Sequence, residues 1–456
     1  MKKKIIYFSS LTLAAIFLFY CIFINSTYSK FDSANVKNTI NYLSSDVFNG
    51  RLAGSVENSM VSTIIKNRFI SYGLKSLSDS YTEDFQVTCP VKLGSDGYMK
   101  ISLPSGEQVD FNYGIDFKED MINFKNNTFT FSNADSINIF SSSIEVCCDE
   151  GKILFFVCDN DNLLFRSSFL KDFPFDATIM ITKNTYKSLV ASLLNGDSIE
   201  LHIPFTTEEK TINNVIGVIK GSNKNLPPLI LTAHYDHLGS DGVNNIYSGA
   251  LDNASGISVV LEFCRSLSTY AKPDRDIIFV ALNAEEFGLL GSQKFAEDNY
   301  FNIKNSEVIN FDMIGAKDTP ISIMQSSAYK NKDSKLLTEI TKICTDNSKT
   351  YEVLYEDSSD HSSFNNLDID AITLCHEDKS ALHTPNDTID NIDEKAITDV
   401  YEIVQAKIDD ACYNSFDTFL YSKKSIYLCS IILISLLIIG LLNTNLIKGE
   451  KINKKH

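Results

Sequence analysis

The sequence predicts an α/β protein: a mixed, mainly parallel central sheet covered by helices on both faces, with a smaller β-rich inserted domain and a membrane helix at each end. Three observations lead there. Between residues 214 and 411, continuous apolar runs alternate with helical stretches, the texture of strands buried on both faces. Residues 88–211 carry short β-branched or aromatic runs instead. An uncharged apolar run stands near each terminus, at Ile5–Ile24 and Ile426–Leu442.

The first run follows the basic cap Met1–Lys4, so residues 1–30 read as a signal anchor or a signal peptide. The second lies between Lys423, Lys424 and a cluster of Lys448, Lys451, Lys454 and Lys455. That predicts a transmembrane helix over 423–447 and a basic cytoplasmic tail over 448–456. The positive-inside rule then places residues 31 to about 422 outside the cytoplasm, tethered to the cell membrane. Val36–Leu43 and Met60–Phe69 have helical spacing, with turns at Gly50, Gly54 and Gly73. Within 88–211, Ile153–Val157 and Ala177–Ile181 read as strands and Tyr186–Leu194 as a helix. His202 is its only histidine, so this segment reads as an insertion rather than a source of chemistry. Downstream, Val215–Ile219, Leu229–Ala233, Asp276–Leu282, Glu307–Phe311 and Asp370–Cys375 read as strands, and about Gly256–Ser268 as a helix.

The formal net charge is −17, and the lysine-rich ends make the part between them more acidic still. A nucleic-acid partner is thereby excluded, since phosphate binding needs a basic face. The ten cysteines include no CxxC pair, so thiolate metal binding has no support and no disulfide pairing follows from spacing.

Metal-capable side chains fall repeatedly just past predicted strand ends: His234 and Asp236, Asp252, Glu285 and Glu286, Asp312, then His383 and Asp387. That edge is where open α/β sheets form their sites. Imidazole and carboxylate donors suit zinc, and five of them with one bridging carboxylate hold two ions about 3.5–4 Å apart. Of two adjacent glutamates, one can bind metal while the other takes a proton from water.

AHYDHLG, GALDNASG, NAEEFGLLGS, NFDMIG, SSDHSSF and LHTPNDT, in that order, resemble the two-zinc aminopeptidases of peptidase family M28. The likeness covers about 214–411 and extends more weakly upstream through NGRLAGS. The β-rich segment resembles the protease-associated domain often inserted in this family. The resemblance implies a peptidase domain formed by 31–87 and 212–422, interrupted at 88–211, that hydrolyses the N-terminal bond of peptide substrates. It implies two zinc ions: His234 and Asp312 on one, Glu286 and His383 on the other, Asp252 bridging. Glu285 would be the general base, Asp236 would orient the His234 imidazole, and the Asp252–Asn253 peptide would be cis.

One departure stands out. Many relatives carry a tyrosine before the last histidine ligand, to polarise the substrate carbonyl, and this chain has Leu382. Either another donor takes this role, with Tyr235, Tyr247 and Tyr355 as the candidates, or the zinc ions fill it alone. His237, His361 and His376 read as packing or rim residues, Asp360 and Phe364 as pocket-shaping or structural, and Asp387 as either orienting His383 or capping a turn. Glutaminyl-cyclase-like chemistry on one zinc, a carboxypeptidase-like relative and a non-catalytic receptor or scaffold of the same fold remain the competing functions.

Overall fold

The computed structural model describes residues 2–442; the basic tail expected over 448–456 lies outside them. An apolar helix, α1 (Lys2–Thr27), precedes α2 (Ser33–Leu43) and α3 (Val56–Ser71). Asp32 and Ser55 begin these last two by accepting the Ala34 and Asn58 amides at 3.0 Å each. β1 (Thr82–Lys92) leads into the inserted unit: β2 (Tyr98–Ser102), β3 (Gln108–Phe111), β4 (Phe117–Phe124), β5 (Thr128–Phe131), β6 (Ser136–Ile139), β7 (Ser143–Cys148), β8 (Gly151–Val157), β9 (Ala177–Ile181), α4 (Lys183–Asn195) and β10 (Ser198–His202). β11 (Phe205–Ile219) returns from it. The rest alternates: β12 (Leu229–His234), α5 (Gly256–Leu267), β13 (Ile277–Leu282), α6 (Leu290–Asp298), α7 (Tyr300–Ile303), β14 (Glu307–Phe311), β15 (Ile321–Gln325), α8 (Lys335–Asp346), β16 (Tyr351–Tyr355), α9 (His361–Asn365), β17 (Asp370–Cys375) and α10 (Glu394–Cys412). The chain then runs through α11 (Ser415–Tyr421) into α12 (Lys423–Leu442).

Eight strands form the central sheet in the order β1-β11-β13-β12-β14-β17-β15-β16. Its middle, β13-β12-β14-β17, is parallel; β1, β11 and β13 pair antiparallel, and β15 runs against β17. Successive side chains of a strand face opposite layers. Leu229, Leu231, Phe279, Ile309 and Ile372 bury against α2, α3, α5, α8 and α10, while Ile230, Ile278, Val280 and Val308 bury against α6, α7 and α9.

The inserted unit has two sheets of its own, β3-β2-β10-β5 and β4-β9-β8-β7-β6. β1 and β11 pair over their length from Thr82↔Val215 to Lys92↔Phe205, so they carry the central sheet out as a long ribbon on which the unit is mounted. The separate β-rich unit thus begins after Lys92 and ends before Phe205, inside the 88–211 read from composition.

At the other end, α1 and α12 pack side by side. The Tyr7 hydroxyl donates to the Leu436 carbonyl at 3.1 Å, Asn25 donates to the Leu420 carbonyl at 2.9 Å, and the Cys21 and Cys429 sulfurs stand 3.9 Å apart. Most other apolar side chains of the pair, including Leu13, Phe19, Ile431 and Leu441, are exposed. This bundle meets the globular part at the far end of α5, where the Tyr28 hydroxyl bonds that of Ser266 at 3.0 Å and the Tyr270 ring contacts those of Tyr28 and Tyr421.

Candidate active site

The parallel order of the sheet gathers the chemistry-bearing residues. β12 ends on His234, β13 runs out through Asn283 and Ala284 to Glu285 and Glu286, and β14 is followed at once by Asp312. The loop before α5 supplies Asp252, and the loop after β17 supplies His383. These four strands are neighbours, so residues distant in sequence meet at one edge. The helices press tightly there: a Cβ on Gly256 would stand 2.3 Å from the Phe311 carbonyl oxygen, and one on Gly291 2.2 Å from that of Asn283. Only glycine lets α5 and α6 start so close to the ligand-bearing turns. The Asp252–Asn253 peptide is cis.

The donor atoms form two sets sharing Asp252. His234 Nε2 lies 3.5 Å from Asp252 Oδ1 and 3.4 Å from Asp312 Oδ1. His383 Nε2 lies 3.4 Å from Asp252 Oδ2 and 3.4 Å from Glu286 Oε2. Two ligands of one tetrahedral zinc, with bonds of about 2.0–2.1 Å, stand about 3.3–3.4 Å apart. The buried His234 Nε2 and Asp312 Oδ1 have no hydrogen-bond partner, which in a protein interior marks a place for another atom. The residues present therefore fit two divalent cations bridged by Asp252. A set of His237, Asp252 and Glu286 is also compact. His237 Nδ1, however, is 2.9 Å from Glu286 Oε1, a hydrogen bond too short for two ligands of one ion, and 3.8 Å from Asp252. His383 is the better third donor beside Asp252 and Glu286, and His237 holds Glu286 in place.

Without cations the site leans towards protons. Burial pushes the Glu285 carboxyl well above the usual range against the pull of His234, although part of Glu285 faces the pocket. Burial opposes charge on both imidazoles, but Glu285 and Asp312 outweigh it at His234, and Glu286 and Asp252 raise His383 to about 9. Burial also favours the neutral acid at Asp312, yet His234 and the Ser359 hydroxyl hold that carboxylate below its ordinary value. Divalent ions replace these protons with charge of the same sign.

A ring of hydrogen bonds fixes the donors. The Asp236 carboxylate accepts the Glu285 and Glu286 amides at 3.2 Å each. It stands 3.6 Å from His234 Nδ1, which is closer to the Asp236 carbonyl oxygen, at 3.2 Å. Asp236 thus positions the glutamate turn as much as the imidazole it was expected to orient. Asp387 accepts the Leu251 and Asp252 amides at 2.8 and 2.9 Å, so it holds the bridging carboxylate's loop rather than His383. Ser359 donates to Asp312 at 2.7 Å. Arg51, fully buried in the NGRLAGS stretch, donates to the carbonyls of Leu43, Tyr235, Ser248 and Gly249 and props up the Asp252 loop from behind.

Other expectations change. Tyr235 donates to the Asn213 carbonyl and Tyr247 to that of Leu164, both at core positions, and Tyr355 ends β16 away from the pocket. Among the described residues no tyrosine lines the pocket, so none of the three polarises a carbonyl there. His361 is buried between Thr373 and the Glu356 carbonyl, Phe364 belongs to the core, and the buried Asp360 is pushed up to about 7 and adds to the push on Glu285. Sequence reasoning missed Ser168. It comes from the inserted unit and donates to Glu286 Oε2 at 2.6 Å; a lone serine in a β-rich segment gives no signal for that.

The pocket over these groups encloses about 320 Å³ and is walled by Ser168, Met313, Met324, Leu382 and the Glu377–Lys379 pair besides the donors. A larger cleft of about 490 Å³ around Asp318 and Lys349 lacks any such convergence, so donor chemistry and not volume marks the site.

Comparison with known proteins picks out the same stretch of the chain. The model of peptidase family M28 matches residues 214–408, the stretch that carries all five donors and Glu285. Aminopeptidase YwaD of Bacillus subtilis is 32% identical over 217 residues, 44% of this chain and 45% of that protein. A glutamate carboxypeptidase 2 homolog of Caenorhabditis elegans is 36% identical over 138 residues, 28% of this chain and 17% of that protein. The chain therefore matches less than half the length of these curated relatives. A solved aminopeptidase from Aneurinibacillus sp. strain AM-1 shares the fold, with a TM-score of 0.59 at 22% identity, over 86% of this chain and 96% of that one. Residues 214–408 are thus similar to peptidase family M28, and the chain shares the fold of a solved aminopeptidase.

Proposed function

We propose that the chain is a membrane-anchored, two-zinc aminopeptidase acting outside the cytoplasm. The observation that carries this is the pair of donor sets sharing Asp252, with Glu285 free beside them. His234, Asp252 and Asp312 would hold one ion and Asp252, Glu286 and His383 the other. Bound zinc supplies Lewis acidity, lowering the pKa of water towards about 7 and polarising the scissile carbonyl. Glu285, kept proton-hungry by burial, takes the proton of the attacking water on its carboxylate and delivers it to the departing amine nitrogen. Asp236, His237 and Asp387 keep the donors oriented while this happens.

The pocket wall favours an N-terminal over a C-terminal residue. Asp252, Glu285, Glu286, Asp312 and Glu377 line it, and its single lysine, Lys379, is paired with Glu377 at 3.1 Å. With Asp252, Glu286 and Asp312 given to the ions, the lining still offers no unpaired lysine or arginine to receive an α-carboxylate. The test is a panel of amino-acid amides, free peptides and N-acetylated peptides, with and without chelator. Chelator-sensitive release of the first residue from unblocked peptides is expected. Release from the C-terminus alone indicates carboxypeptidase chemistry, one tightly held zinc per chain indicates the cyclase-like reading, and silence across the panel a scaffold.

Membrane attachment rests on α1 and α12, both long and apolar enough to cross a bilayer. Their outer faces bury little in the protein, unlike a core helix, and the packing of α1 on α12 supports a first helix that is retained. Lys2–Lys4 on one side then put the residues between the helices outside the cytoplasm.

A further inference from the structure

Between the turn at Asp161 and β9, the inserted unit sends an irregular strap across to the central sheet. One edge of the strap is bolted to β4. Ser167 donates its amide and hydroxyl to the Asp120 carboxylate at 2.7 and 2.6 Å, the Leu170 amide donates to the Ile122 carbonyl at 2.8 Å, and Asn123 donates to the Leu170 carbonyl at 2.7 Å. The buried Arg166 guanidinium lies over the Phe205 and Tyr247 rings, 3.9 Å from Glu119. The other edge grips two donor residues. The Phe169 amide donates to the Glu286 carbonyl at 2.8 Å, the Arg166 amide to the His383 carbonyl at 3.0 Å, and the Phe165 ring stacks on the His383 imidazole at 5.8 Å. Ser168 completes this edge through its hydroxyl on Glu286 Oε2.

The grip is one-sided. Every one of these contacts falls on Glu286 or His383. Asp312 takes its hydroxyl from Ser359, and His234 faces Asp236, both within the peptidase part. We infer that the inserted unit governs one of the two metal positions: Ser168 is a positioning residue for Glu286, and the ion between Asp252, Glu286 and His383 depends on the strap while the ion between His234, Asp252 and Asp312 does not. This rests on the two-ion reading above. Its chemistry is the outer hydrogen bond that fixes a metal-binding carboxylate, here supplied by a different structural unit from the carboxylate itself.

The test is zinc titration of the metal-stripped full-length chain in detergent, read against a chromophoric competing chelator. Wild type takes two ions. In Ser168→Ala one binding step weakens by about 10–100-fold while the other stays within about twofold, and Ser168→Thr, which keeps the hydroxyl, restores the first. Ser359→Ala weakens the step that Ser168→Ala spares, and the double variant weakens both. Both steps of Ser168→Ala unchanged, both weakened together, or Ser168→Ala and Ser359→Ala striking the same step overturns the inference. A wild-type chain that takes one ion overturns the two-ion reading itself, and this inference with it.

Discussion

Glu285 and Glu286 are adjacent in sequence, yet their surroundings separate their tasks. Glu286 is gripped on one oxygen by His237 and on the other by Ser168 and faces His383, whereas the Glu285 carboxylate looks into the pocket beside His234 and Asp312. Glu285→Gln keeps size and burial but removes the proton acceptor. It is expected to take up zinc as the wild type does and to lose about 10²- to 10⁴-fold in kcat; turnover near wild type would remove the assignment. His376 supports the site by a different route. Its buried Nδ1 accepts the Gly315 amide at 3.1 Å, in the turn after Asp312, and burial pushes its pKa down to about 4. The unfolded imidazole titrates near 6.5, so the unfolded chain takes up the proton first, and stability is lost as pH falls from about 6.5 to about 4. A depression of this size corresponds to about 3 kcal/mol. Denaturant midpoints of His376→Gln are therefore expected to fall less steeply between pH 7 and 4.5 than those of wild type; equal slopes would contradict this.

At the level of elements, the strands that deliver the donors were legible because they are buried on both faces. Glu307–Phe311 and Asp370–Cys375 coincide with β14 and β17, and Leu229–Ala233 differs from β12 only by His234, which is both strand end and donor. β15, β16 and α8 were not visible. β16 is an edge strand whose mostly half-buried residues give no continuous apolar run, and α8 shows the sequence only one narrow stripe, Leu336, Ile340 and Cys344. The five candidate donors, which the fold brings together, were named from strand ends and motif order. The hydrogen-bonding shell was not, because Ser168, Ser359 and Arg51 act through contacts made only after folding. The turn that presents Glu285 and Glu286 depends on the start of α6 closing onto Asn283. Gly291→Ala meets the Asn283 backbone there, which no side-chain adjustment relieves, and is expected to cost about 1–3 kcal/mol. A lowered denaturant midpoint together with reduced activity would show it; a midpoint unchanged from wild type would not fit this packing.

Across the whole molecule, two apolar helices separated by nearly 400 residues close on each other, which no local pattern announces. Their proximity makes a direct prediction. Oxidation of the membrane-bound chain by copper-phenanthroline should join Cys21 to Cys429, so that fragments from a protease cut in the globular part stay linked until reduced. Cys429→Ser should abolish the link; fragments that separate without reductant in the wild type would mean the helices do not pair. The aromatic joint between this bundle and the globular part has a further consequence. Tyr28, Tyr270 and Tyr421 meet at the last turn of α5, whereas the first turn of α5 follows directly on the Asp252 loop. Twelve helical residues span about 18 Å, so α5 holds the Asp252 loop about that far from the joint with the apolar helices. Under the anchored-peptidase reading proposed above, a site held off the bilayer samples the surrounding fluid, and attaching a lipid tail to a peptide's far end should slow its trimming rather than speed it.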